Sequence, residues 1–416
     1  MVYLSRWQET PLEAHLKQFP VVCLTGPRQS GKSTLLKHIQ KSDWEYITLD
    51  QRGLMEQALR DPDLFIQNFK TPVIIDEAQK APPLFHSIKA EIDKNPKKRF
   101  ILSGSANFHL MQNITETLAG RASLLELYPF SIGEILKIRH PIFLQNLFKT
   151  KTFAKLQTLV RSIKIKRLKN IYYHILWGGM PKIQELLSSE ERMLWFENYR
   201  STYIERDLRN LAQIGNLDDF QKFYQAVAFQ TGNILNLSDL SKDIGVTVPT
   251  CKRYFDILRT SYQAFALPAY HANIKKRLVK TPKCYFLDTG MACFFLRYES
   301  EEMLKNSGRL GNLFETWVLN EMKKGIATLP VAPALHFWQP HAGYEIDLVM
   351  ESGEFLYPME VKHAIRIQNE DIRGLQNFMK DIKKKQIPFG IIWYRGEQIQ
   401  TVAPQIIALP LEYLWC

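Results

Sequence analysis

A chain of 416 residues is too long for one ordinary core and predicts about three domains, and its 45% hydrophobic content can fill them. No uninterrupted apolar run reaches the ~18 residues of a membrane helix, and the early charges Arg6, Glu9 and Glu13 do not read as a signal peptide, so a cytoplasmic protein is expected. Five scattered cysteines without a C-x-x-C pair argue for free thiols and against a zinc site, while the net charge of +12 calls for a polyanionic partner to be considered.

The apolar strand candidate Val21-Val22-Cys23-Leu24 runs into Gly26-Pro27-Arg28-Gln29-Ser30-Gly31-Lys32-Ser33, followed by Thr34 and a helix candidate reaching Gln40. The run fits the phosphate-binding pattern G-x-x-x-x-G-K-[ST] in the strand–loop–helix context that the pattern requires. Gly26 and Gly31 let the backbone curl into a nest of inward N–H groups. Lys32 is placed to reach the β- and γ-phosphates of ATP, and the Ser33 hydroxyl to ligate Mg²⁺. The β-branched run Val73-Ile74-Ile75 ends in Asp76-Glu77, which reads as a buried parallel strand with acids at its tip. Asp76 is the candidate Mg²⁺ ligand and Glu77 the candidate orienter of the attacking water. A third run, Arg99 to Leu102, ends in Ser103-Gly104-Ser105-Ala106-Asn107, either γ-phosphate sensors or plain turn residues.

This order of elements resembles the AAA-type P-loop ATPases. Gly120-Arg121, Leu127-Tyr128-Pro129-Phe130-Ser131 and Glu134 narrow the likeness to a bacterial and archaeal ATPase family whose C-terminal half is a domain of unknown function. The resemblance implies a catalytic sensor at Ser105. It makes Arg121 a candidate γ-phosphate arginine, with a structural arginine at a helix end as the alternative. It extends over Tyr203-Ile204-Glu205-Arg206-Asp207-Leu208, Thr231-Gly232-Asn233, Lys280 to Gly290 and Gly311 to Glu315, nearly the whole chain.

Four units are expected: an ATPase domain over 1–135, a helical connecting region over 136–230, a winged helix-turn-helix over 231–300 and a nuclease-like domain over 301–416. The basic surplus lies in the middle two, with 16 Lys/Arg against 8 Asp/Glu in 136–230 and 10 against 5 in 231–300. Phe148 to Lys169 and Glu191 to Gln213 carry apolar residues at helical spacing. Asn236 to Gly245 and Val246 to Thr260 form two helices about a glycine turn, followed by strand candidates flanking a basic loop. Such a unit either reads DNA or serves as a docking lid. For DNA the contacts would be Lys252, Arg253 and Arg259 on the second helix and Lys275, Lys276 and Arg277 in the wing.

In the last unit, Glu315 lies on a helix, Asp347 on a strand after a turn near Gly343, and Glu360-x-Lys362 on the next strand. This order resembles the PD-(D/E)xK nuclease superfamily. Strand alternation puts Glu360 and Lys362 on one face. Asp347 and Glu360 would then hold a divalent metal, Lys362 would position water and Glu315 would complete the shell. The whole reads as an α/β protein: a P-loop core with a parallel sheet, a helical linker and winged helix, then a restriction-endonuclease-like α/β domain. ATP and Mg²⁺ are the expected cofactors and DNA the expected partner, with oligomerisation left open. An inactive nuclease-like domain used only for ATP-gated binding of DNA or protein is the alternative.

Overall fold

The computed structural model describes residues 3–104, 116–202, 216–273, 277, 280–340 and 343–416. Its N-terminal unit is a five-stranded parallel sheet of β1 (Val21–Thr25), β2 (Glu45–Thr48), β3 (Val73–Asp76), β4 (Phe100–Ser103) and β5 (Ala122–Glu126), in the order β2-β3-β4-β1-β5. The strands of β1, β3 and β4 are buried along their whole length, which is why each is a continuous apolar run instead of an alternating one. Because β4 lies between β1 and β3, the loop after β1 and the acids after β3 open at the same edge, with the tip of β4 between them.

The middle of the chain is helical. The helix Phe153–Ser162 ends earlier than its spacing predicts, and residues 163–168 form no helix, with Ile163 and Ile165 half-buried and Lys164 and Lys166 exposed. That alternation is a two-residue period, which a helix cannot bury. The helix Ser189–Tyr199 begins with a Ser188/Glu191 capping box, while 203–213 of the expected helix lie outside the described residues. The helices Leu237–Ile244 and Val248–Thr260 then meet at Gly245, whose φ of +81° ends the first helix in the left-handed conformation that glycine adopts without penalty. A three-stranded sheet accompanies them, β6 (Asn233–Ile234), β7 (Ala264–Leu267) and β8 (Lys283–Phe286), ordered β6-β8-β7.

The C-terminal unit is a six-stranded mixed sheet of β9 (Ala334–Trp338), β10 (Ile346–Ser352), β11 (Phe355–Lys362), β12 (Gly390–Tyr394), β13 (Gln400–Ala403) and β14 (Ile406–Pro410), ordered β13-β14-β12-β11-β10-β9. One face packs on the helix Asn369–Asp381 through Ile372, Leu375 and Phe378. The other belongs to a large core shared with the helix Leu310–Ile326 and the central helices. That core crosses every boundary after residue 130. Tyr270 N–H donates to Phe337 O and Phe337 N–H to Pro268 O, so the strands around the helix-turn-helix continue onto the edge of the C-terminal sheet. Among the described residues no helix is long and apolar enough to cross a membrane. All five cysteines are buried free thiols.

Candidate functional site

The Gly26–Ser33 loop closes between β1 and the helix Lys32–Ile39. Gly26 has φ +147°, and a Cβ there would lie 2.2 Å from Leu127 O, so the loop turns against β5 in a way only glycine permits. Lys32 is buried and its ammonium donates to Gly26 O at 3.0 Å and Pro27 O at 2.8 Å, held over the concave side of its own loop. Burial pulls this ammonium down to about 8 despite the opposing carboxylates of Glu77 and Asp76; Arg28 adds to the fall.

Asp76 ends β3 with its carboxylate buried. It accepts from Tyr46 OH at 2.6 Å and from the Ser103 hydroxyl at the tip of β4. An all-oxygen pair of Ser33 and Asp76 at the mouth of a phosphate loop suits Mg²⁺, which keeps most of its waters and takes few protein ligands. Glu77 follows in the left-handed conformation, φ +57°, and accepts from Gln79 Nε2. Burial raises its carboxyl, reinforced by Asp76 and countered by Gln79 and Lys32.

Ser105 lies outside the described residues. Arg121 requires a correction. It precedes β5 and its carbonyl accepts from Val21 N–H at the start of β1, the edge of the sheet opposite the loop. Its guanidinium pairs with Asp93 at 2.8 Å. A five-residue strand, on the order of 16 Å, separates it from its own phosphate loop, so it is a structural arginine there.

Arg6 is a residue that sequence reading passed over. It donates to Ser30 O in the loop at 2.8 Å, to Tyr128 O at 2.6 Å and to Glu134 Oε1 at 3.0 Å. Glu134 in turn accepts from Trp7 N and Ser131 N, and Phe130 N–H donates to Gly179 O. Lys324 Nζ reaches Phe130 O at 2.9 Å, and Ile132 N–H donates to Glu321. The Leu127 to Glu134 segment is therefore the joint between the ATPase sheet, the central helices and the helix Leu310–Ile326. A second joint is Tyr262, two residues past the end of the helix Val248–Thr260. Its hydroxyl donates to Glu126 Oε1 at 2.8 Å and lies 2.9 Å from Thr25 Oγ1, one residue before Gly26.

On the second helix Lys252, Arg253 and Arg259 are exposed, Arg259 beside Asp256 at 3.4 Å. Lys275 and Lys276 lie outside the described residues. Arg277 is not a phosphate contact: its half-buried guanidinium pairs with Glu351 at 2.7 Å and stacks over Tyr270 at 4.4 Å. Lys283, the last cation of the acid-free basic run Lys275, Lys276, Arg277, Lys280 and Lys283, is buried.

Four of the expected C-terminal residues do come together. Glu315, Asp347, Glu360 and Lys362 line one open cleft of about 390 Å³, with Lys283, Glu345, Glu370 and Asp371 around them. Each carboxylate is already engaged. Asp347 accepts from Val361 N–H at 2.8 Å, Glu360 pairs with Lys362 at 3.2 Å, and Glu315 accepts from Tyr285 OH at 2.6 Å and Lys283 at 3.2 Å. Burial raises the Glu315 carboxyl, Asp347 adding to the rise and Lys283 opposing it. Among the described residues no three His, Cys, Asp or Glu side chains are arranged to hold a metal ion. Asp347 and Glu360, the expected metal ligands, thus reach one cleft, where one oxygen of each is engaged by a protein donor.

The N-terminal unit matches an AAA domain. The matching family model covers residues 18–136 and supports nucleotide binding and ATP hydrolysis by this unit. Residues 168–302 and 310–414 match two families described as domains of unknown function (DUF8612 and DUF4143). Two uncharacterized proteins, from Mycobacterium bovis and Mycobacterium tuberculosis, are each 28% identical over 406 residues, 97% of this chain and 82% of theirs. A Walker-type ATPase of Pyrococcus abyssi is similar at 16% identity with a TM-score of 0.45, over 71% of this chain and 96% of its own.

Proposed function

We propose that the chain is an ATP-hydrolysing protein acting on DNA, in which the occupant of the phosphate loop sets how the helix-turn-helix unit holds duplex. ATP is bound by residues Gly26 to Thr34, and Mg²⁺ by Ser33 and Asp76. The observation that carries the reading is Tyr262: one hydroxyl joins the residue before Gly26 to the end of the second helix. A shift of the loop on binding phosphate is felt at Thr25 and passed to that helix. Lys252, Arg253 and Arg259 on its exposed side supply the phosphate contacts of a winged helix-turn-helix.

Duplex affinity measured across a salt series tests this. Affinity is expected to fall steeply with salt through counterion release, with a shallower slope once Lys252, Arg253 and Arg259 are neutralised together. It is also expected to differ between the nucleotide-free protein and Glu77→Gln loaded with ATP. Tyr262→Phe should erase that difference while hydrolysis continues. Salt-independent affinity, or no binding at low salt, would leave the unit a docking lid.

A second reading, a divalent-metal-dependent nuclease, is favoured by the meeting of Glu315, Asp347, Glu360 and Lys362 at one cleft. It requires cleavage of plasmid DNA with Mg²⁺ or Mn²⁺ that disappears in Asp347→Ala. Intact plasmid under both metals would rule it out and leave the cleft without a cutting role.

A further inference from the structure

The cleft of the C-terminal unit is not built by that unit alone. β8 belongs to the sheet of the helix-turn-helix, and its two-residue period puts Lys283 and Tyr285 on the same side. Lys283 lines the cleft, and both side chains meet at Glu315, at 3.2 Å and 2.6 Å. Lys283 also forms an ion pair with Glu345. Its side chain is only 5% exposed, so this ammonium is a buried charge with chosen partners and not a surface lysine that happens to lie near acids.

The charge pattern sharpens the point. Glu315, Glu345, Asp347, Glu360, Glu370 and Asp371 line the cleft against two lysines, Lys283 and Lys362. Lys362 serves Glu360 on β11, and Lys283 serves the Glu315 side. A divalent cation drawn to these oxygens would face the Lys283 ammonium at close range in a partly buried site, where repulsion is several-fold stronger than in water. The acids attract a cation, and the position between Glu315 and Glu345 already has one.

We propose that Lys283 is the resident cation of this cleft: carried in on β8 from the helix-turn-helix unit, it holds the Glu315 and Glu345 carboxylates that a metal would otherwise gather. The cleft then accepts a divalent metal only when β8 shifts or the ammonium is removed. The inference rests on the second reading above only in treating the cleft as a cation site.

Mn²⁺ titration followed by electron paramagnetic resonance, without nucleotide and in a Lys32→Ala background, tests it. Wild-type Lys283 is expected to keep the cleft weak, with Mn²⁺ binding no tighter than roughly millimolar. Lys283→Met, which keeps the stem and loses the charge, is expected to bind one Mn²⁺ about tenfold or more tighter, and Asp347→Asn in addition to remove that gain. Lys283→Arg should behave as wild type. Equal, Asp347-dependent Mn²⁺ binding with and without the Lys283 charge would overturn the inference and leave the cation-site reading standing. A folded Lys283→Met protein that binds no Mn²⁺ would overturn both. Should Lys283→Met not fold, labelling of wild type with an amine-reactive acetylating agent decides: protection of Lys283 supports the inference, and labelling at the rate of exposed lysines overturns it.

Discussion

Lys32→Ala is expected to abolish ATP turnover and to weaken ATP binding by about 10- to 100-fold, the loss of a hydrogen-bonded charge facing phosphate. The ammonium now bonds to Gly26 O and Pro27 O, both carbonyls of its own loop, so it needs only a small turn to face an anion seated there. Glu77→Gln is expected to behave differently. Binding persists, because Glu77 lies past the strand tip and bonds to Gln79, while hydrolysis slows by about 10²- to 10⁴-fold, the usual worth of a water-activating carboxylate. Isothermal titration with ATP and phosphate-release kinetics separate the two. Equal turnover in wild type and Glu77→Gln would remove the role given to Glu77. The Lys32 shift adds a pH signature. ATP selects the ammonium form, and burial has pulled that form down to about 8. Affinity should stay level below that pH and fall as pH rises through it, because binding must then take up a proton. Lys32→Arg, charged throughout, should flatten the fall, and a level affinity between about pH 7 and pH 9 in wild type would contradict it.

Arg6→Ala is expected to destabilise the protein by about 3–5 kcal/mol, the range for removing one partner of a buried ion pair. Arg6 and Glu134 are 4% and 5% exposed, so neither is rescued by water when the other is lost. The guanidinium also satisfies Ser30 O and Tyr128 O, two carbonyls left without it. Glu134 keeps the N–H groups of Trp7 and Ser131 but becomes an uncompensated buried charge. The paired change Arg6→Met with Glu134→Gln should therefore recover much of the loss. Because Arg6 anchors the loop from beneath, Arg6→Ala should also weaken ATP binding without touching the phosphate-facing groups. Chemical denaturation with a change under about 1 kcal/mol would show that the pair is far less critical than its burial implies.

Much of the nucleotide site was legible in the order of residues. A phosphate loop is contiguous, and its chemistry depends on backbone curvature and on one lysine and one hydroxyl at fixed spacing, so Gly26 to Ser33 can be recognised without a fold. Asp76 was legible for a related reason, as a charged pair closing a continuous apolar strand. The fold class followed from the same alternation of buried strands and helices. Strand alternation likewise put Glu360 and Lys362 on one face before any tertiary contact was known.

What the tertiary structure decided is everything that depends on partners far apart in the chain. Arg6 and Ser30 are 24 residues apart, Arg6 and Glu134 are 128 apart, and Thr25 and Tyr262 are 237 apart, so no local pattern joins them. Arg121 sat in a suggestive place in the sequence, but the direction of β5 carries it to the far edge of the sheet. Arg277 and Lys283 counted as members of one basic run. The fold separates them, sending Arg277 to Glu351 and Lys283 to Glu315, because a side chain's charge says what it seeks and only packing says what it finds. The acids of the C-terminal cleft could be named from their order along two strands and a helix. That one of their counter-cations arrives on a strand of another unit could not, since that pairing is written in the docking of two sheets and in no spacing of residues.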